Sequence, residues 1–245
     1  MKNIIIIVFS IFVMSTFAQT ETIKFPSEDG IEITADIYKI DADAPWIILH
    51  HQAGFSRGAY LSIAPKLNKL GFNCIATDQR SGKEVNGVIN QTHLAAEKQG
   101  KETKYVNAIP DLKATLEYVK SELKAQDIII WGSSYSSALT FYMASQYPED
   151  IKAVLAFSPG EYFEISGETI SSLAAQVKCP VFITSAKNEE EYWRVIYNAV
   201  PGEKYFYLPQ EEGFHGSRAL WPEKEGHEMA WKEVEEYLES IYNKK

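Results

Sequence analysis

Ile128-Ile129-Ile130-Trp131-Gly132-Ser133-Ser134-Tyr135-Ser136-Ser137-Ala138-Leu139 is the stretch around which the rest of the chain has to be arranged. The apolar run ending at Trp131 reads as a fully buried strand, and the residues after Ser134 continue into an apolar pattern at helical spacing. A strand that enters a helix through Gly-x-Ser-x-Ser turns sharply at the central serine, because small flanking residues let the backbone fold back on itself. The turn would project the Ser134 hydroxyl at a helix N-terminus, where unpaired N–H groups and the helix dipole favour developing negative charge. A serine that merely caps a helix fits the same twelve residues, since serine is a preferred N-cap. The neighbouring segments have to choose between the two.

Working outward, residues 21–25, 31–38 and 46–49 have the β-branched and alternating character of strands. Apolar residues from Ala59 to Leu70 then recur at helical spacing and stop at Gly71, ahead of a strand over 72–77. Residues 105–123 form a second amphipathic stripe with Pro110 in its first turn, and the strand ending at Trp131 leads into a helix to about Tyr147. Strands are expected at 153–157, 181–184 and 204–208, and helices at 190–199 and 222–242. Such alternation implies a mostly parallel sheet with helices on both faces, because parallel neighbours need crossover connections. Sites in such sheets lie at the carboxyl ends of the strands. Residues 81–104 read as a long irregular loop beside that edge.

At 245 residues, with 45% hydrophobic and 23% charged side chains, the chain has the composition of a packed globular protein, and one domain over 19–245 is expected. Residues 1–18 are different: Lys2, an apolar run from Ile4 to Met14, then Thr16-Phe17-Ala18, the pattern of a secretory signal cleaved near Ala18. The run is too short for the roughly 20 residues of a spanning helix, so no stable membrane anchor is expected after cleavage and the product is expected to be periplasmic or secreted. Losing one lysine takes the formal charge from −9 to −10, which disfavours nucleic acid as a partner.

With these pieces in order, the chain resembles the α/β-hydrolase superfamily, and within it small, lightly capped, dienelactone-hydrolase-like bacterial members. The likeness rests on Leu49-His50-His51-Gln52-Ala53-Gly54 after the third strand, Asp78-Gln79-Arg80-Ser81-Gly82 after the fourth, the Ser134 turn after the fifth and Phe214-His215-Gly216 after the last. It implies an eight-stranded, mostly parallel α/β-hydrolase fold with a minimal cap, and a triad in the order nucleophile, acid, histidine. Ser134 is then the nucleophile and His215 the base. Cys179-Pro180-Val181-Phe182-Ile183-Thr184-Ser185-Ala186-Lys187-Asn188-Glu189 resembles the family's strand leading to the acid, which falls on Glu189; Glu161 is the alternative acid. The oxyanion donors implied are the backbone N–H groups of Tyr135 and of Gln52, or of Ala53 if the register slips. Ser136, Ala186 and His51 stand where the family prefers Gly.

The activity so implied is hydrolysis of a small ester or lactone, with no cofactor, no metal and a small molecule as the only partner. A peptidase or an acyltransferase could use the same residues, and a non-catalytic binding protein could use the same fold. Phe55, Tyr135, Tyr162, Phe163 and the 81–104 segment are expected to wall the site. Asp78 and Arg80 suit a turn and a buried ion pair better than chemistry. His93 and His227 have no evident role, and Asn90-Gln91-Thr92 matches a glycosylation sequon of low specificity. The strand order the family implies puts Cys74 and Cys179 four strand positions apart, too far for a disulfide. The sequence leaves the oligomeric state open.

Overall fold

The computed structural model describes residues 19–242. The signal expected over residues 1–18 lies outside them. Among the described residues no helix is long and apolar enough to cross a membrane.

Eight strands form one sheet: β1 (Gln19–Pro26), β2 (Glu32–Lys39), β3 (Trp46–His50), β4 (Asn73–Thr77), β7 (Ile128–Ser133), β8 (Ala153–Phe157), β9 (Val181–Thr184) and β10 (Lys204–Tyr207). They lie in the order β1-β2-β4-β3-β7-β8-β9-β10. The two pairings that involve β2 are antiparallel and all the others are parallel. Strand side chains alternate between two cores, as a period of two requires. Trp46, Ile48, Ile128, Ile130, Val154 and Ile183 face one core, closed by α3 (Ile109–Ser121), α4 (Tyr135–Gln146), α5 (Ile170–Ala174) and α6 (Glu190–Ala199). Ile47, Leu49, Ile129, Trp131, Leu155 and Phe182 face the other, closed by α1 (Ala64–Lys69) and α7 (His227–Tyr242). Each such side chain, taken wholly out of water, contributes about 1.5–3 kcal/mol.

Residues 81–104 are not irregular. They contain a two-stranded hairpin, β5 (Glu84–Val85) and β6 (Val88–Ile89), followed by α2 (Gln91–Lys98). The helix escaped the sequence reading because its buried contacts are few: Thr92 and Ala96 are its only fully buried residues. Its N-cap is Asn90, whose side chain accepts the His93 N–H at 2.7 Å. Asn90 is completely buried, so the sequon is inaccessible. The short α5 was also not anticipated, and the amphipathic stripe before Gly71 splits into a 3-10 turn (Arg57–Tyr60) and α1.

Asp78 and Arg80 anchor the end of β4, though not to each other. Asp78 accepts from the Arg57 guanidinium, the Arg57 N–H and the Gln91 N–H, each at 2.8 Å. Arg80 holds Asp111 in a forked pair (2.6–3.1 Å) and Asp29 in another (2.7 and 2.9 Å). Cys74 on β4 and Cys179 just before β9 are buried free thiols.

Candidate active site

The carboxyl ends of β3, β7, β8 and β9 converge on Ser134. Its backbone sits at φ 58° and ψ −124°, a region an L-residue occupies at a cost of about 1–3 kcal/mol. Three contacts hold it there. The Ser134 N–H donates to Phe157 O at the end of β8 (2.8 Å). Ser136 accepts the Ser133 N–H (2.8 Å) and donates to His50 O at the end of β3 (2.9 Å). Gly132 leaves room for the first turn of α4, since a Cβ there would lie 2.5 Å from backbone atoms of Ser136 and Ser137.

His215 ends the segment after β10 and begins a 3-10 turn (Gly216–Leu220). That turn is tied to β7: the Ser217 N–H donates to Ser133 Oγ (2.9 Å), and the Trp131 indole N–H donates to Ser217 Oγ (2.7 Å). His215 therefore stands two residues before a group bonded to the neighbour of Ser134. Its Nδ1 lies 2.5 Å from Glu189 Oε1. A carboxylate can only accept, so Nδ1 carries the proton and Nε2 is left as the basic nitrogen.

Glu189 closes a short 3-10 turn (Lys187–Glu189) after β9. Its other oxygen accepts from Ser158 Oγ (2.6 Å) and from the Ala186 N–H (3.2 Å). Burial pushes this carboxyl up, but the hydrogen bonds from His215 and Ser158 and the His215 charge more than offset it, leaving it below the ordinary glutamate value. Glu161, the alternative acid, is occupied elsewhere: it accepts the Ile170 and Ser171 N–H groups (2.7 and 2.8 Å) at the start of α5.

Gln52 and Tyr135 flank the Ser134 turn from two elements. β3 and β7 run parallel with His50 opposite Gly132, and a Cβ on Gly216 would meet both Ser133 Oγ (2.4 Å) and Gln52 Oε1 (2.6 Å), so the Gln52 side chain lies beside the residue before Ser134. No acceptor among the described residues takes the Gln52 N–H. The Tyr135 N–H occupies the first position of α4, where no intrahelical acceptor exists. Neither N–H group is thus taken by an acceptor among the described residues.

Of the residues expected to wall the site, the Tyr135 ring is instead buried, stacked on Tyr105 with centroids 4.8 Å apart. Phe55 stacks on Trp221. Tyr162 is 41% exposed and donates to Ser158 O at 2.7 Å. Burial and the Glu189 charge push its phenol up to about 12. Among the described residues no group of three His, Cys, Asp or Glu could share a metal ion.

The family model described as the alpha/beta hydrolase fold matches residues 45–176, more than half of the chain. The chain belongs to the α/β hydrolase fold family. No curated protein matches its sequence. Solved structures with the same fold include the Pyrococcus furiosus esterase Pf2001, at 17% identity and a TM-score of 0.68 over 91% of each chain. A dienelactone hydrolase from Anabaena variabilis superposes with a TM-score of 0.70 at 12% identity, over 91% of this chain and 97% of that one. Est1E from Butyrivibrio proteoclasticus, solved with ferulic acid bound, superposes with a TM-score of 0.71 at 13% identity, over 91% of this chain and all of that one.

As an α/β hydrolase fold protein, the chain carries other residues at three positions, in three separate segments, where the family prefers Gly, for identifiable reasons. Ala186 adopts φ −63° and ψ 152°, which any residue can occupy. Ser136 is helical and uses its hydroxyl to join the turn to β3. His51 is completely buried and fully bonded, its ring reaching Gln52, Gln79 and Asn90. Ser158, Gln79 and Asn90 were missed by the sequence reading. Only Asn90 carried a local signal, as an N-cap ahead of a helix.

Proposed function

We propose that the chain is an exported serine hydrolase, periplasmic or secreted, that cleaves a small carboxylic ester or lactone through an acyl-enzyme. Ser134 Oγ attacks the carbonyl carbon while His215 Nε2 takes its proton. The Gln52 and Tyr135 N–H groups hold the oxyanion, and His215 returns the proton to the leaving alcohol. Water, deprotonated by the same nitrogen, then attacks the acyl-enzyme and releases the acid. Glu189 holds the imidazole in the required tautomer and stabilises it when it becomes charged. No cofactor enters this chemistry.

The observation that carries the reading is the 2.5 Å contact between Glu189 and His215, on a loop bonded to the neighbour of a serine held at positive φ. The esterases and the dienelactone hydrolase that share the fold support an ester or lactone as the acyl donor. The ferulic acid held by Est1E suggests a planar aromatic acid as the acyl part, and Tyr162, bonded to Ser158 O, and Tyr105, stacked on Tyr135, are both exposed by about 40% and offer rings for it to pack on.

The test is reaction of the purified protein with a fluorophosphonate, followed by peptide mapping. Ser134 is expected to be labelled, and Ser134→Ala to lose hydrolysis of p-nitrophenyl acetate by about 10⁴-fold or more. Ser133→Ala is expected to keep at least about a tenth of the activity, since Ser133 Oγ is engaged with the Ser217 N–H. A folded wild-type protein that neither reacts nor hydrolyses esters would be a binding protein on this fold, and the reading would be withdrawn.

A further inference from the structure

The oxyanion loop carries a buried histidine that the proposed reaction does not use. His51 Nε2 receives two donors, the Gln79 N–H at 2.9 Å and Asn90 Nδ2 at 3.1 Å. A nitrogen that accepts has no proton, so the neutral ring carries its proton on Nδ1. That Nδ1–H donates to Gln52 O at 2.8 Å. Burial pushes the His51 pKa down to about 4, consistent with a neutral ring. The backbone N–H of His51 is fixed as well, donating to Gln79 Oε1 at 3.0 Å.

The result is a clamp on both sides of one peptide group. The His51 N–H is fixed before it and the Gln52 carbonyl after it, and the peptide between them bears the unaccepted Gln52 N–H. The clamp is closed from outside by Gly82. A Cβ there would lie 2.3 Å from Asn90 Nδ2 and 2.6 Å from His51 Cε1.

We propose that His51, set by Gln79 and Asn90, is a positioning residue that fixes the Gln52 carbonyl and thereby aims the Gln52 N–H at the oxyanion. The proposal rests on the reading of Ser134 as nucleophile. Preorganised donors stabilise a transition state because they need no reorientation as charge develops, and an error of about 1 Å in such a group can cost about 10²-fold in rate.

His51→Asn and His51→Leu separate this role from simple space filling. Asparagine keeps an N–H close to the place of Nδ1, whereas leucine donates nothing. Neither can accept on the Nε2 side from both Gln79 and Asn90, so the two lose comparable stability. With p-nitrophenyl acetate, His51→Leu is expected to lower kcat about 10²-fold with KM within about threefold, and His51→Asn to stay within about tenfold of wild type. Affinity for a trifluoromethyl ketone, which forms a tetrahedral adduct carrying an oxyanion, should fall in parallel with kcat. Equal kcat per folded molecule in the two variants, or a loss confined to KM, overturns the proposal.

If neither variant folds, the wild type decides. The His51 Nδ1–H resonance should move when the ketone adduct forms, since Gln52 links the two, and an unmoved resonance overturns the proposal. A wild-type protein inert to fluorophosphonate would remove the Ser134 reading itself. That outcome is distinct from equal variants of an enzyme that reacts.

Discussion

Ser158 Oγ donates to Glu189 Oε2 at 2.6 Å and accepts the N–H of Gly216, the residue after His215, at 2.8 Å. One hydroxyl at the end of β8 therefore fixes the carboxylate and the backbone of the imidazole it serves. Ser158 does this from φ 53°, a left-handed conformation. Ser158→Ala should be destabilised by about 2–3 kcal/mol, since a bond to a charged group is lost and a buried N–H is left unpaired. It should also lose at least about tenfold in kcat/KM. Ser158→Gly should lose as much activity yet be about 1 kcal/mol more stable than Ser158→Ala, because glycine adopts positive φ without cost. Urea unfolding beside steady-state kinetics tests this. Equal stability of the two variants would remove strain from the account.

Glu189 makes stability depend on pH in a definite direction. Its folded pKa lies below the ordinary value. A depressed carboxyl contributes stability that is present above the unfolded pKa, about 4.3, and is lost as pH falls through the folded pKa. The urea midpoint of wild type should therefore exceed that of Glu189→Gln at pH 7, with the gap shrinking toward pH 3. A gap that widens on acidification would contradict the ionised state of Glu189.

Arg80 and Asp111 are 3% and 1% exposed in their side chains, and neither touches the Ser134 cluster. Arg80→Met strands a buried carboxylate and is expected to cost about 3–5 kcal/mol. The ester hydrolysis proposed for the folded protein should be within about threefold of wild type, because no group at Ser134, His215 or Glu189 is altered. Guanidinium unfolding and active-site titration measure the two separately. A specific activity lost with stability intact would reassign the pair to the site.

Cys74 and Cys179 lie on or beside strands that hold the third and seventh places in the sheet. Strands four places apart are about 19 Å from each other, and a disulfide needs Cα atoms within about 7 Å. Ellman titration of the denatured, unreduced chain should find two thiols, even after the proposed export to an oxidising compartment. A monomer with none would contradict the strand order.

The sequence was most informative where one element carries its own signal. The apolar runs at 46–49, 128–131, 153–157 and 181–184 gave strands close to those observed, because burial on both faces leaves a continuous hydrophobic record. Glycine and serine around Ser134 gave the turn, because backbone sterics there admit little else. The hairpin and α2 within 81–104 left too few apolar residues to establish a period, and the Asn90 cap was read as part of a sequon.

What the sequence determined by itself, then, was the order of the eight main-sheet strands and the longer helices, and its resemblance to the family supplied Ser134, His215 and Glu189 as candidates. Only the tertiary structure joined Glu189 rather than Glu161 to the imidazole, made Ser158 common to both ends of that contact, and set His51 between Gln79 and Asn90. These are hydrogen bonds between residues 26 to 58 positions apart, made where the ends of neighbouring strands meet. Periodicity reports what one segment buries. It carries no record of which polar atom of another segment lies opposite, because that depends on the order in which the sheet brings its strand ends together.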